Sequence, residues 1–176
     1  FVAKIHRIAE QAQKEGAVLL VAGDAAHPEV QGIVGHTSGE VFVFGDLPTL
    51  QAWKGPKVFG TPIYAVAQTT FQVTKWLECS EFLKKAYTNA RIFDTICSAT
   101  WARQQEAEDL SQKCDLMVVI GGHHSSNTQK LLAVAAKHTK AYAVENASEL
   151  RPEWFRDVKT AGVTAGASTP SSIIEE

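Results

Sequence analysis

The sequence predicts an α/β protein built from two similar lobes, each a parallel sheet flanked by helices. Three observations predict it. First, a shift of about 99 residues lays the second half over the first, pairing Val18-Leu19-Leu20-Val21-Ala22-Gly23 with Met117-Val118-Val119-Ile120-Gly121-Gly122. The same shift pairs Lys4 with Arg103, Gln13 with Gln112, Lys14 with Lys113 and Thr69 with Ser168. Second, short apolar runs alternate with segments of helical periodicity, the pattern of strands joined by crossover helices. Third, each apolar run ends in a polar turn, and in open parallel sheets ligands gather beyond those strand ends.

Taken in order, Ile5, Ile8, Ala9 and Ala12 recur at helical spacing over residues 1–15, and Gly16 supplies a stop. A strand is expected over 17–22, then a short helix from Pro28 and a strand over 41–44. Gly45-Asp46 reads as a turn, 49–54 as a short helix, and Gly55-Pro56 as its breaker. A strand over 63–67 leads through Gln68-Thr69-Thr70 into a long helix to about Tyr87, and a short strand over 91–93 enters Cys97. The second lobe repeats this order: a helix over 101–113, a strand over 116–120, a helix over 126–137 and a strand over 141–144. A helical turn near 150–155, a strand at 162–164 and a last helix after Pro170 complete it. The lobes are expected to span 1–90 and 91–176.

Composition excludes several function classes. Hydrophobic residues make up 45% and charged residues 20% of the 176, with a formal net charge of −2. No basic field is present to attract nucleic acid. No apolar run approaches the roughly 18 residues that span a bilayer. Cys79, Cys97 and Cys114 are an odd number without zinc spacing, which points to a reducing compartment, with cytoplasm as the default. The chain opens on Phe1 without signal-peptide architecture, so a cut start is expected.

Four turns could carry chemistry. Gly121-Gly122-His123-His124-Ser125-Ser126-Asn127-Thr128 follows an apolar strand and opens a helix, where free amides and the helix dipole suit a phosphate. A simpler role for Ser125 or Ser126 is to cap the helix. It is neither a Walker loop nor a GxGxxG turn. His27-Pro28-Glu29-Val30 enters another helix. Glu29 suits the dipole there, or serves as a proton donor beside an anion held by His27. His36 reads as a surface or packing histidine. Gln68-Thr69-Thr70 and Ala167-Ser168-Thr169 are matching turns bearing hydroxyls. Cys97 stands before a helix, where a thiolate is favoured, and spacing leaves open nucleophile, metal ligand or neither. Cys79 and Cys114 read as small buried hydrophobes.

Together these motifs resemble a known family. His-Pro-Glu-Val with Gly32 and Gly35, Gln-Thr-Thr, Asp94-Thr95-Ile96-Cys97-Ser98-Ala99-Thr100 with Arg103-Gln104, Gly-Gly-x-x-Ser-Ser-Asn-Thr and Gly162-Val163-Thr164-Ala165-Gly166-Ala167-Ser168 occur in the order of the LytB/IspH family. The resemblance covers residues 1–176. It implies a 4-hydroxy-3-methylbut-2-enyl diphosphate reductase of the non-mevalonate isoprenoid pathway, whose three lobes form a trefoil around a 4Fe–4S cluster. Each lobe there gives one cysteine. By that resemblance Cys97 is the cluster ligand of the last lobe, and Ser125, Ser126, Asn127, Ser168 and His27 hold the diphosphate. Glu29 resembles the acid that protonates the leaving hydroxyl, Thr69 the hydroxyl supporting it, and ferredoxin or flavodoxin the electron donor. The family's first lobe, with a Gly-Phe-Cys-x-Gly-Val motif, and its Ala-Thr-Cys-Pro stretch have no counterpart here. Two of three cluster ligands are then absent, and an inactive two-lobe fragment without a stable cluster is expected. A non-redox phosphate or sugar-phosphate binding module is the alternative.

Overall fold

The computed structural model describes residues 1–175. The chain divides into two compact units, Phe1–Cys97 and a second from Ser98 onward. Unit one contains α1 (Val2–Lys14), β1 (Val18–Ala22), α2 (Pro28–Gly35), β2 (Val41–Phe44), α3 (Leu47–Ala52), β3 (Ile63–Ala67), α4 (Val73–Ala86) and β4 (Ala90–Ile92). Its strands form one parallel sheet in the order β2-β1-β3-β4. Unit two contains α5 (Ser98–Ser111), β5 (Leu116–Ile120), α6 (Ser126–Ala135), β6 (Lys140–Val144), β7 (Ala161–Ala165) and α7 (Ser171–Ile174). Its parallel sheet has the order β6-β5-β7. The 99-residue repeat thus has a physical form: β1 and β5 are both inner strands, and each is followed by a polar turn and a helix.

The inner strands β1, β3 and β5 are buried at every residue, which is why they read as unbroken apolar runs rather than alternating ones. On one face of the first sheet, Leu19, Val21, Tyr64 and Val66 pack beneath Ile5, Ile8, Ala9 and Ala12 of α1 and Val30 and Ile33 of α2. Fully burying each large aliphatic side chain there stabilises the fold by about 1.5–3 kcal/mol. The stripe on α1 ends where Gly16 adopts φ +63° and turns the chain into β1. In unit two, Val119 meets Ala107, Leu131 and Val134 on one face. On the other, Leu116, Val118 and Ile120 meet Trp154, Val158 and Ile173.

Several boundaries moved for identifiable reasons. α3 begins at Leu47 rather than Thr49, because Asp46 Oδ1 accepts the Thr49 N–H at 2.9 Å and caps it. The helical turn expected at 150–155 is two short 3₁₀ segments, Ala147–Glu149 and Pro152–Phe155. The lobe boundary drawn at residue 90 passes through β4, whereas the compact units part between Cys97 and Ser98. β4 is hydrogen-bonded to β3, and the chain beyond it stays zipped along that strand. Phe93 N–H donates to Ala65 O at 2.9 Å, and the buried Thr95 hydroxyl links to both Ala67 N and O. Cys97 N–H donates to Thr69 O at 3.0 Å. Cys97 therefore ends the first unit.

Candidate functional site

In unit one the site is the edge beyond the strand ends. β1 runs into Gly23, where a Cβ would come within 2.6 Å of Val30 Cγ2 and 3.2 Å of Gln68 Oε1, so only glycine lets the turn lie against α2. Asp24 N–H donates to Gln68 Oε1 at 3.3 Å, and the Gln68 amide donates onward to Thr70 Oγ1 at 3.1 Å. Gln68 is fully buried and ties the two turns together. His27 caps α2: its Nδ1 accepts the Glu29 N–H at 3.1 Å. With Nδ1 used as acceptor, the neutral ring carries its hydrogen on Nε2 and has a donor to offer.

Glu29 follows in the first turn of α2. Its Oε1 accepts the Thr69 N–H at 2.7 Å and its Oε2 accepts the Thr69 hydroxyl at 2.8 Å. The same Thr69 receives the Cys97 N–H on its carbonyl. One buried threonine therefore fixes the carboxylate and the backbone of the cysteine. Glu29 and Cys97 are thus both hydrogen-bonded to Thr69, and His27, the cap of α2, stands two residues before Glu29.

In unit two, Gly121 has φ +154°, and a Cβ on it would collide with Thr128 Oγ1. Ser125 caps α6, its Oγ accepting the Thr128 N–H at 3.4 Å. Ser126 lies half-buried in the first turn, and Ser168 is exposed in the turn after β7. Thr169 Oγ1 donates to Ile120 O at 3.0 Å and binds that turn to the end of β5. Between these turns Asn127 is only 8% exposed, and neither its Oδ1 nor its Nδ2 has a hydrogen-bond partner in the protein. A buried amide left without partners costs about 1–3 kcal/mol, and native proteins pair most such groups with protein, water or a bound ion. Serine hydroxyls, a buried neutral amide and a helix N-terminus form a donor set suited to phosphate oxygens.

Some side chains here escaped the sequence reading. Thr128 and Thr169 shape the second turn, and Thr95 fastens the Cys97 segment, though only hydroxyls recurring at strand ends signal them. His123 donates its N–H to Glu145 Oε1 at 2.7 Å, and its ring lies 2.9 Å from Glu149 Oε2. A hydrogen bond from the Glu145 backbone, helped by His123, holds the Glu149 carboxyl below its usual range. His36 stacks on His6 and pairs with Glu10.

Similarity to known proteins supplies the decisive observation: the chain matches the family described as LytB protein along residues 1–176. The chain belongs to the LytB family. Relatives named 4-hydroxy-3-methylbut-2-enyl diphosphate reductase include one from Helicobacter pylori strain P12, 43% identical over 176 residues and covering 99% of this chain. Another, from Wolinella succinogenes, is 41% identical over 181 residues. The chain spans about 63% of the length of the curated relatives it matches. A solved reductase from Plasmodium falciparum superposes with a TM-score of 0.90 at 24% identity, covering 99% of this chain and 55% of that one, which shows the shared fold. A second structure, described as the terminal enzyme of the non-mevalonate pathway, matches at 35% identity with a TM-score of 0.55. It covers 99% of this chain and 62% of that one.

LytB membership raises the question of an iron–sulfur cluster, and this chain's own residues do not complete a ligand set for one. Among the described residues no three His, Cys, Asp or Glu side chains group closely enough to hold a metal ion. Cys97 is at the strand-end edge. Cys79 is fully buried on α4, where burial pushes its thiol up to about 11. Cys114 lies by Gly162, at the opposite end of its sheet from the polar turns. Cubane clusters take thiolate from several cysteines, and one thiol at the site is short of that.

Proposed function

We propose that this chain carries the acid and the diphosphate-holding residues of a 4-hydroxy-3-methylbut-2-enyl diphosphate reductase. That enzyme removes an allylic hydroxyl reductively, giving isopentenyl and dimethylallyl diphosphates. The observation that carries the reading is the double hydrogen bond from Thr69 to Glu29, with Cys97 fastened to the same threonine. Loss of hydroxide from carbon needs a proton at the departing oxygen, supplied by an acid within hydrogen-bond reach. Glu29 in its protonated form is that acid. Its proton passes to the hydroxyl directly, or through Thr69 Oγ1, which at 2.8 Å accepts from the carboxyl while donating its own hydrogen outward. Water leaves, and two electrons and a second proton complete the allylic product.

In unit two, Ser125, Ser126, Asn127 and Ser168 hold the diphosphate, and His27 of unit one offers a donor suited to an anion. The unpaired amide of Asn127 supports this assignment. The electrons come from a low-potential donor protein of the ferredoxin or flavodoxin class. Cys97 is the residue of this chain that would hold a 4Fe–4S cluster, and such a cluster would supply single electrons. The 176-residue polypeptide by itself therefore retains no cluster and shows no turnover. The setting is cytoplasmic, in keeping with three cysteines that form no disulfide; among the described residues no helix is long and apolar enough to cross a membrane.

Anaerobic reconstitution with iron and sulfide tests the reading. Expected are pyrophosphate binding that Asn127→Ala abolishes, no stoichiometric cluster absorbance and no reductase turnover. A stoichiometric cluster on this polypeptide would refute the assignment of Cys97 as its sole ligand. In the reductase extended to the length of its relatives, turnover abolished by Cys97→Ala is expected. Pyrophosphate binding lost only in Asn127→Ala, with no reductase turnover in that extended protein and no effect of Cys97→Ala, would favour a non-redox phosphate-binding module instead.

A further inference from the structure

The two units brace their first polar turn in different ways, and the difference singles out one carboxylate. Gly23 N–H donates to Phe44 O and Gly121 N–H to Val144 O, both at 2.9 Å. The turn after β1 therefore corresponds to the turn after β5, and Gly45 corresponds to Glu145. In unit one the turn is braced by its own aspartate. Asp24 Oδ1 accepts the Ala26 N–H at 2.9 Å, and the Asp24 N–H donates to Gln68 Oε1. Unit two has Gly122 at the matching place, with no side chain to do this, directly after Gly121. Consecutive glycines leave a backbone with the most freedom to lose.

The brace of unit two comes from the end of the neighbouring strand. Glu145 Oε1 accepts the His123 N–H at 2.7 Å and lies 3.8 Å from the point a Cβ on Gly122 would occupy. The His123 ring reaches Glu149 Oε2 at 2.9 Å, and that oxygen also accepts the Glu145 N–H at 3.0 Å. From α6, Gln129 Nε2 donates to His123 O at 2.8 Å. His123 is thus held by its amide, its carbonyl and its ring, two residues before the Ser125 cap. Helix capping does not account for Glu145. Asn146 Oδ1 accepts the Ser148 N–H at 3.0 Å, as Asp46 Oδ1 accepts that of Thr49. Unit one does its capping with Gly45 in the place of Glu145, although a Cβ there would meet nothing within 4 Å.

We propose that Glu145 is a positioning residue for the diphosphate, fixing the Gly121–Ser125 turn through His123 so that the start of α6 meets the anion already shaped. The inference rests on the reading of that turn as the diphosphate holder. By its charge alone a carboxylate near an anion site opposes binding. Its service is the hydrogen bond to His123, which spares the ligand the cost of ordering two glycines.

Glutamine separates the bond from the charge, because it keeps an accepting oxygen and gives up the negative charge. Glu145 is exposed, so neither Glu145→Gln nor Glu145→Ala is expected to disturb folding. Calorimetric titration of the 176-residue chain with pyrophosphate is expected to show Glu145→Ala binding about fivefold more weakly, the size of one ordinary hydrogen bond. Glu145→Gln is expected to bind at least as tightly as the parent. Amide exchange followed by NMR without ligand is expected to quicken at His123 in Glu145→Ala and not in Glu145→Gln. Binding by Glu145→Ala that equals or exceeds the parent's overturns the inference, and so does Glu145→Gln binding as weakly as Glu145→Ala. Unchanged exchange at His123 in Glu145→Ala also overturns it. A parent chain that binds no pyrophosphate overturns the diphosphate reading itself, and the positioning role falls with it, so the two failures are told apart.

Discussion

Thr69 donates to both oxygens of the Glu29 carboxylate, through its N–H at 2.7 Å and its hydroxyl at 2.8 Å. Two donors on one residue leave the carboxylate a single orientation. Thr69→Val removes the hydroxyl donor and keeps the shape. It is expected to destabilise unit one by about 1 kcal/mol, since a hydrogen bond to a charged but half-buried group is worth that order. Thr69→Ser keeps the donor and is expected to fall within about 0.5 kcal/mol of the parent. Urea denaturation followed by tryptophan fluorescence measures both, and equal loss in the two variants would show that the methyl group, not the hydroxyl, is what matters.

The approach of α2 to β1 depends on Gly23. Gly23→Ala drives a methyl group to 2.6 Å from Val30 Cγ2, in the turn that carries Glu29. Overpacking of this kind costs about 1–3 kcal/mol and displaces the helix entry. Gly35→Ala, at the other end of the same helix, meets nothing within 4 Å and is expected to be neutral or slightly stabilising. Melting temperatures of the two variants make the comparison.

Asn127 offers a test of function set against stability. Its amide is buried and unpaired, so Asn127→Leu is expected to leave stability unchanged or raise it by about 1 kcal/mol. The same change is expected to weaken pyrophosphate binding at least about tenfold, since one good hydrogen bond to an anion is worth about 1.4 kcal/mol or more. Calorimetric titration beside thermal unfolding reads both. A variant that is less stable yet binds normally would place the amide among structural groups.

Stability is expected to fall as pH drops below about 6.5, because His6 resists protonation in the folded state. Burial is the main cause and the adjacent His36 the next. With the folded value below 6.5, the unfolded chain binds the extra proton first, and acid favours unfolding through that window. His6→Gln removes this contribution, so the slope of stability against pH between about 7 and 5.5 is expected to flatten. Glu15 acts at lower pH. Its carboxyl is held below 4.5 chiefly by the Tyr64 hydroxyl, and its contribution is lost only as pH falls through that lower range.

Much of this was legible in the chain itself. The inner strands announced themselves because burial on both faces demands unbroken apolar runs, and the polar turns followed directly. The pairing of Glu29 with Thr69 could be anticipated only through family resemblance. The two residues are 40 apart in sequence, and nothing in their spacing brings them to adjacent strand ends. Asn127 stood in a phosphate-suited turn, and only the family resemblance singled it out. That its amide has no partner is a property of everything packed around it.

The sequence by itself determined the α/β class, the doubled architecture and the edge on which polar residues gather, since each follows from local periodicity and a repeat. Only the tertiary structure decided where the first unit ends, because β4 and the segment to Cys97 are held by hydrogen bonds to β3 rather than by a local signal. It also decided that His6 lies over Gly32, a contact made by helix packing. Such contacts depend on which faces meet, and the order of residues along either helix does not record that.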